Sequence, residues 1–148
     1  MYEVAELTAA HPLWQDMIAY AEACPWSAGP YLAREMRAGR FDGWERVFCL
    51  LDDGKISGFC NLTEKDELSP EYSFTPFVGF VYVEQGHRGR RLSQRMLDAV
   101  TEYAGRIGFR QIYLMSGEKG LYEKYGFQKI GDYPTIFGTT DQLFVKTI

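Results

Sequence analysis

The spacing of apolar residues changes period along the chain, and each change predicts a different element. Tyr2 to Leu7 alternates weakly, which predicts a short first strand. From Pro12 to Ala21 the residues Leu13, Met17 and Tyr20 recur at helical spacing, with Pro12 suited to a first turn. Cys24-Pro25-Trp26-Ser27 breaks that helix, and a second is predicted over Gly29 to Ala38, stopping at Gly39. The period then shortens. Arg46 to Leu51 and Ile56 to Leu62 flank Asp52-Asp53-Gly54, the pattern of an antiparallel hairpin. Thr63 to Pro70 reads as a charged loop. Phe74 to Val83 is the most apolar stretch and reads as a central strand, with Pro76 near its entry.

A polar elbow, Glu84 to Arg91, leads into a strong amphipathic pattern in which Leu92, Met96, Ala99, Val100, Tyr103 and Ile107 share one helix face. Gly105 and Gly108 mark its end. Ile112 to Met115 reads as a strand, Lys119 to Tyr125 as a short helix ended by Gly126, and Phe127 to Ile130 and Leu143 to Val145 as closing strands. Runs of strands interleaved with helices in this order predict an α+β (mixed α/β) fold and exclude a helix bundle or a β-sandwich.

No repeat, low-complexity tract or linker interrupts the pattern, so a single domain over residues 1–148 is expected. With 46% hydrophobic residues the chain can bury a core without disulfides or metals. Cys24, Cys49 and Cys60 are an odd number without CxxC spacing, which argues against a disulfide framework and a zinc site. Reduced thiols fit a cytoplasmic protein. His11 and His87 stand apart and give no metal constellation; His87 reads as a water-exposed loop residue, with contact to an anion at the neighbouring elbow as the alternative. The formal net charge of −4 gives no global support to nucleic-acid binding. No apolar run reaches the ~18 residues of a membrane span, and the N-terminus lacks the basic stretch and long apolar core of a signal peptide.

The elbow carries the most chemistry. Arg88-Gly89-Arg90-Arg91-Leu92-Ser93 joins a buried strand directly to a helix. A helix start exposes unpaired N–H groups and the positive end of its dipole, which suits a pyrophosphate. Gly89 lets the backbone come close, and Ser93 can donate a hydroxyl. The pattern also fits a solvated helix start, but three arginines there oppose the dipole and call for an anion. No GxxxxGK[ST] loop occurs, nor a GxGxxG followed by an acidic residue in a βαβ unit.

These residues resemble the R/Q-x-x-G-x-G/A loop of the GNAT acetyltransferases. Arg88, Gly89 and Leu92 agree with the commonest form of that loop, whereas Arg91 and Ser93 stand where small residues usually sit. A second block, Gly120-Leu121-Tyr122-Glu123-Lys124-Tyr125-Gly126-Phe127, is similar to the family's LYEKxGF signature. The two blocks occur in the family's order, one helix and one strand apart. The resemblance runs from about Phe77 to Ile130; the N-terminal half matches only in its order of elements.

The resemblance implies a GNAT-like fold, a mostly antiparallel twisted sheet of about six to seven strands flanked by about four helices. It implies an N-acetyltransferase in which a primary amine attacks the thioester of acetyl-CoA directly, with no metal. Phe80, Val81, Tyr82 and Val83 would lie beside the pantetheine arm, the Val83 N–H facing the oxyanion. Arg88, Gly89, Arg90, Arg91, Leu92 and Ser93 would hold the pyrophosphate. Tyr122 matches the general acid, since a phenol of pKa about 10 is protonated at neutral pH and can donate to a thiolate; Tyr125 reads as packing.

Many relatives carry a Glu in the strand before the loop as general base, but Phe77 to Val83 has no carboxylate. Glu84 follows and Glu71 precedes that stretch; each also reads as a solvated surface residue, and a water chain is a third route. Trp14, Trp26 to Tyr31 and Glu71 to Phe77 are expected to select an acceptor, a cationic or ring-bearing amine. A homodimer is compatible with the resemblance. Two other readings stay open. One is a non-catalytic acyl-CoA-binding regulatory module. The other, a nucleic-acid binder using Arg88 to Arg95, is opposed by the acidic charge and by the lack of an aromatic-interleaved motif.

Overall fold

A computed structural model describes residues Met1–Ile148. The elements in chain order are β1 (Tyr2–Leu7), α1 (Trp14–Glu22), α2 (Ala28–Arg37), β2 (Arg46–Asp52), β3 (Lys55–Thr63) and β4 (Phe77–Val83). They continue with α3 (Leu92–Arg106), β5 (Gln111–Ser116), α4 (Leu121–Lys124), β6 (Gln128–Pro134) and β7 (Thr140–Thr147). Hydrogen-bonded strands follow the order β1-β2-β3-β4-β5-β7-β6. The β1–β2, β5–β7 and β6–β7 pairs are antiparallel, and β4–β5 is parallel. A parallel pair needs a crossover connection, and α3 lies within it. The mixed α+β class and the seven-strand, four-helix count agree with the sequence expectation.

The chain divides into two compact units, Met1–Asn61 with Phe80–Met96, and Leu62–Gly79 with Leu97–Ile148. The division falls within β3, β4 and α3.

In the first unit, α1 and α2 bury one face each. Trp14, Met17, Ile18 and Ala21 of α1 join Leu32, Ala33 and Met36 of α2 in a core with Val47, Cys49 and Leu51 of β2. Alternate β2 residues therefore face the helices, as the two-residue repeat of a strand dictates. Phe48 and Leu50 between them are also buried, which is why this strand reads as a continuous apolar run. Trp14, expected at the acceptor side, lies edge-on to Phe41 in this core. Burial pushes the Cys49 thiol up to about 12, as expected of a small core residue.

In the second unit, Leu68, Phe77, Tyr113, Met115 and Leu143 form a core against which Tyr72, Phe74, Tyr133 and Val145 pack. β7 supplies the register, with Tyr113 opposite Val145 and Leu114 opposite Phe144. β6 ends the strand order, so Pro134 costs no ladder bond on its open side.

Four sequence expectations are corrected. α1 begins at Trp14 rather than Pro12, because the Leu13 N–H is taken by His11 Nδ1 at 3.0 Å and the chain turns there. β4 begins at Phe77 rather than Phe74, after Pro76, which has no N–H to give a ladder. The buried face of α3 carries Leu97 and Ala104, while Ile107 falls beyond the helix end and is exposed. β6 runs on past Ile130 to Pro134, with a register shift between Lys129 and Gly131 that hides its two-residue pattern.

Candidate active site

The elbow lies wholly in the first unit. β4 ends at Val83, and the next N–H, of Glu84, donates to the Ser57 carbonyl at 2.8 Å, tying the strand end to β3. A single 3-10 turn, Gln85–His87, follows, and Arg88 is extended. Gly89 then takes φ +87° and Arg91 φ +56°, and α3 starts at Leu92. Nothing lies within 4 Å of a Cβ built on Gly89, so its constraint is dihedral rather than spatial. Arg91, where the family loop usually has a small residue, adopts the left-handed conformation without being glycine. A 15-residue helix therefore begins directly after this turn, and the N–H groups at the start of an α-helix have no carbonyl partner within the helix itself.

The side chains brace this turn. Arg88 Nε donates to the Val83 carbonyl at 2.8 Å, and its guanidinium stands 5.9 Å over the Tyr82 ring. Arg90 Nη1 donates to the Tyr2 hydroxyl at 2.7 Å, and the same hydroxyl lies 2.7 Å from His87 Nδ1. The expectation of a water-exposed His87 is corrected. Its side chain is 23% exposed, set edge-on against Tyr2 and 3.8 Å from Asp52. Tyr2 and Asp52 are register partners in the β1–β2 pair, so the sheet edge presents both to the histidine. Gly89, Arg90 and Arg91 are exposed, Leu92 is buried as the first anchor of α3, and Ser93 is half-buried.

Along β4, Phe80, Val81 and Val83 are partly exposed and Tyr82 is buried. Phe80 departs from strand geometry with φ +52°, an unusual backbone for a bulky residue. Aromatic rings gather there. Trp26 stacks on Tyr82 and meets Phe80 edge-on at 6.2 Å, and Tyr31 meets Phe80 edge-on at 5.7 Å. Glu84, expected as a candidate base, is exposed and accepts a 2.7 Å hydrogen bond from Tyr20. Burial, then the Glu84 bond, raises the Tyr20 pKa, so this phenol stays protonated and donating. Burial also raises the Tyr82 phenol, with Cys24 beside it.

The second unit holds the remaining candidates. Tyr122 follows Leu121 in the first turn of α4 and is 7% exposed, its ring 5.9–6.2 Å from those of Phe144, Phe127 and Tyr125. Its carbonyl accepts from the Phe127 and Tyr125 N–H groups, which closes the short helix. Glu71 is exposed, 3.3 Å from the Ser69 hydroxyl that donates to it. Tyr72 and Phe74 pack on Tyr133 and Tyr113, so these residues of the Glu71 to Phe77 segment belong to an aromatic layer. Sequence reasoning missed Glu67. Burial, a hydrogen bond to Asp141 and the charges of Asp66 and Asp141 push its carboxyl up to about 8. The bridge between Leu68 and Thr135, with the bonds from the Ile136 N–H to the Glu67 carbonyl and from the Ser69 N–H to the Pro134 carbonyl, brings that loop to the turn between β6 and β7, and no local signal foretells it.

No curated protein sequence matches the chain. Among solved structures, it is similar to an aminoglycoside 6'-acetyltransferase type Ii at 22% identity, with a TM-score of 0.72 over 98% of this chain and 96% of that one. It is similar to a GNAT family acetyltransferase from Elizabethkingia anophelis with acetyl-CoA bound, at 16% identity and a TM-score of 0.65, covering 99% and 98% of the two chains. An aminoglycoside 6'-N-acetyltransferase complexed with coenzyme A gives 18% identity and 0.68, over 98% and 96%. These likenesses concern the fold. The family model of the acetyltransferase (GNAT) family matches residues 11–127, a span that takes in the elbow, α3 and the Tyr122 helix. The chain therefore belongs to the GNAT acetyltransferase family.

Proposed function

We propose that this chain transfers the acetyl group of acetyl-CoA to a primary amine by direct attack. The observation that carries the reading is the elbow, where left-handed backbone at Gly89 and Arg91 leads straight into the start of α3 beside the exposed Arg88, Arg90 and Arg91. That arrangement suits a pyrophosphate. Phe80 to Val83 supplies the strand beside which the pantetheine arm runs, with the Val83 N–H as oxyanion donor.

In the reaction the amine lone pair attacks the thioester carbonyl carbon and a C–N bond forms. The carbonyl oxygen takes the negative charge, and the C–S bond then breaks. Glu84, with Tyr20 fixing one of its oxygens, accepts the proton released from nitrogen, directly or through water; Glu71 is the second candidate base. Tyr122 gives its phenolic proton to the departing thiolate.

Titration calorimetry with acetyl-CoA tests the cofactor half. Micromolar binding is expected, weakened at least tenfold, or about 1.4 kcal/mol, by the Arg88→Ala, Arg91→Ala double variant. An amine panel tests the transfer half; kanamycin belongs in it because two structural neighbours are named aminoglycoside acetyltransferases. Tight binding without turnover of any amine would mark the chain as an acyl-CoA-binding regulatory module. A folded protein that binds no acyl-CoA would end the acetyl-transfer reading.

A further inference from the structure

Asn61 is buried at 3% exposure, and its Oδ1 has no hydrogen-bond donor within the protein. Buried acceptors nearly always find a donor, because burying one unpaired forfeits its hydration with nothing in return. Its position in the fold indicates what the donor is. The Glu84 N–H bond to the Ser57 carbonyl and the stacking of Phe59 on Tyr82 at 5.2 Å set β3 antiparallel to β4. Successive side chains of a strand alternate faces, so Ser57, Phe59 and Asn61 share the face that carries Tyr82. Two residues further along this ladder, Asn61 comes level with Phe80, where the β4 backbone leaves strand geometry. Trp26 and Tyr31 meet the Phe80 ring edge-on and are 40% and 46% exposed, so the aromatic group reaches from this level to solvent.

We propose that Asn61 Oδ1 receives the amino group of the acetyl acceptor, and that the acceptor is a primary amine carried on an aromatic or apolar body that packs on Trp26, Tyr31 and Phe80. The chemistry matches at both ends. A carbonyl oxygen only accepts, which suits the N–H groups of an amine or ammonium. Aromatic faces favour a nearby cation and a flat apolar body. The inference rests on the acetyl-transfer reading, since it assigns the second substrate of that reaction.

Asn61→Leu removes the acceptor at nearly constant volume, and tyramine and phenethylamine serve as probes. The expected result is at least a tenfold rise in KM for the probe amine, with the calorimetric Kd for acetyl-CoA within twofold of wild type. The melting midpoint is expected to stay level or rise, because an unpaired buried polar atom has been replaced by an apolar one. Trp26→Ala, at a half-exposed position, is expected to raise the same KM. A probe KM within twofold of wild type in Asn61→Leu overturns the proposal. So does a fall of its melting midpoint together with its acetyl-CoA affinity, which would make the amide a structural group. Turnover of neither probe by a wild-type protein that binds acetyl-CoA also overturns it and leaves the cofactor reading intact, whereas loss of acetyl-CoA binding in wild type removes both.

Discussion

The Tyr20 hydroxyl donates a 2.7 Å hydrogen bond to Glu84 Oε2, joining α1 to the residue that follows β4. The phenol is held protonated by burial and by the carboxylate itself, so this bond persists across neutral pH. Glu84→Gln keeps the shape and removes the basic oxygen. Its kcat is expected to fall by about 10² while acetyl-CoA affinity is unchanged. Tyr20→Phe leaves the carboxylate in place and is expected to reduce kcat by less than tenfold. Steady-state kinetics on the best panel amine decide this, and an unchanged kcat in Glu84→Gln would assign the base elsewhere.

Tyr122 is buried among Tyr125, Phe127 and Phe144, so removing its oxygen alone leaves the packing intact. Tyr122→Phe is expected to lower kcat at least tenfold, with the melting midpoint within about 3 °C of wild type, the shift that roughly 1 kcal/mol gives a domain this size. Tyr125→Phe is expected to leave kcat alone. Equal effects from both substitutions would argue for packing at both positions.

Arg91 holds a left-handed backbone that costs a non-glycine residue roughly 1–2 kcal/mol. Arg91→Gly relieves that strain and keeps the N–H in place. Thermal unfolding is expected to rise by a few degrees, with acetyl-CoA affinity falling less than in the Arg88→Ala, Arg91→Ala double variant. A lower melting midpoint would show that the arginine side chain, rather than the turn, stabilises the elbow.

Gly58 carries the close approach of β3 to β4. A Cβ there would lie 2.4 Å from the Tyr82 carbonyl oxygen and 3.3 Å from Val83 Cα, both backbone atoms. Gly58→Ala is therefore expected to destabilise by about 1–3 kcal/mol, seen as a lower urea midpoint. It should also weaken acetyl-CoA binding, because the displaced strand end is the one that leads into the elbow.

Glu67 holds its proton to about pH 8 in the folded protein, against an ordinary value of 4.5. Between these two values the folded state binds more protons than the unfolded chain, so stability falls as pH rises through this window and levels off above it. Glu67→Gln keeps a donor toward Asp141 at every pH. Its melting midpoint is expected to match wild type near pH 5 and to exceed it at pH 9. Parallel pH profiles for the two proteins would contradict the assignment.

Elements with a clean period were legible without a structure. The first helix pair, the hairpin, α3 and the order of strands follow from spacings of two and of three to four residues, and these determine the α+β class. The elbow and the Tyr122 helix were legible because their geometry depends on local backbone: a glycine at φ +87° and a helix start need only a few neighbouring residues. What spacing could not reach was pairing between distant segments. The bond from Tyr20 to Glu84 spans 64 positions, and that from Arg90 to Tyr2 spans 88. The left-handed turn at Phe80, the proton on Glu67 and the unpaired oxygen of Asn61 arise in the same way. A local pattern records which face of an element is buried. Desolvation and hydrogen-bond partnership depend on which other face lies opposite, and only the folded chain decides that.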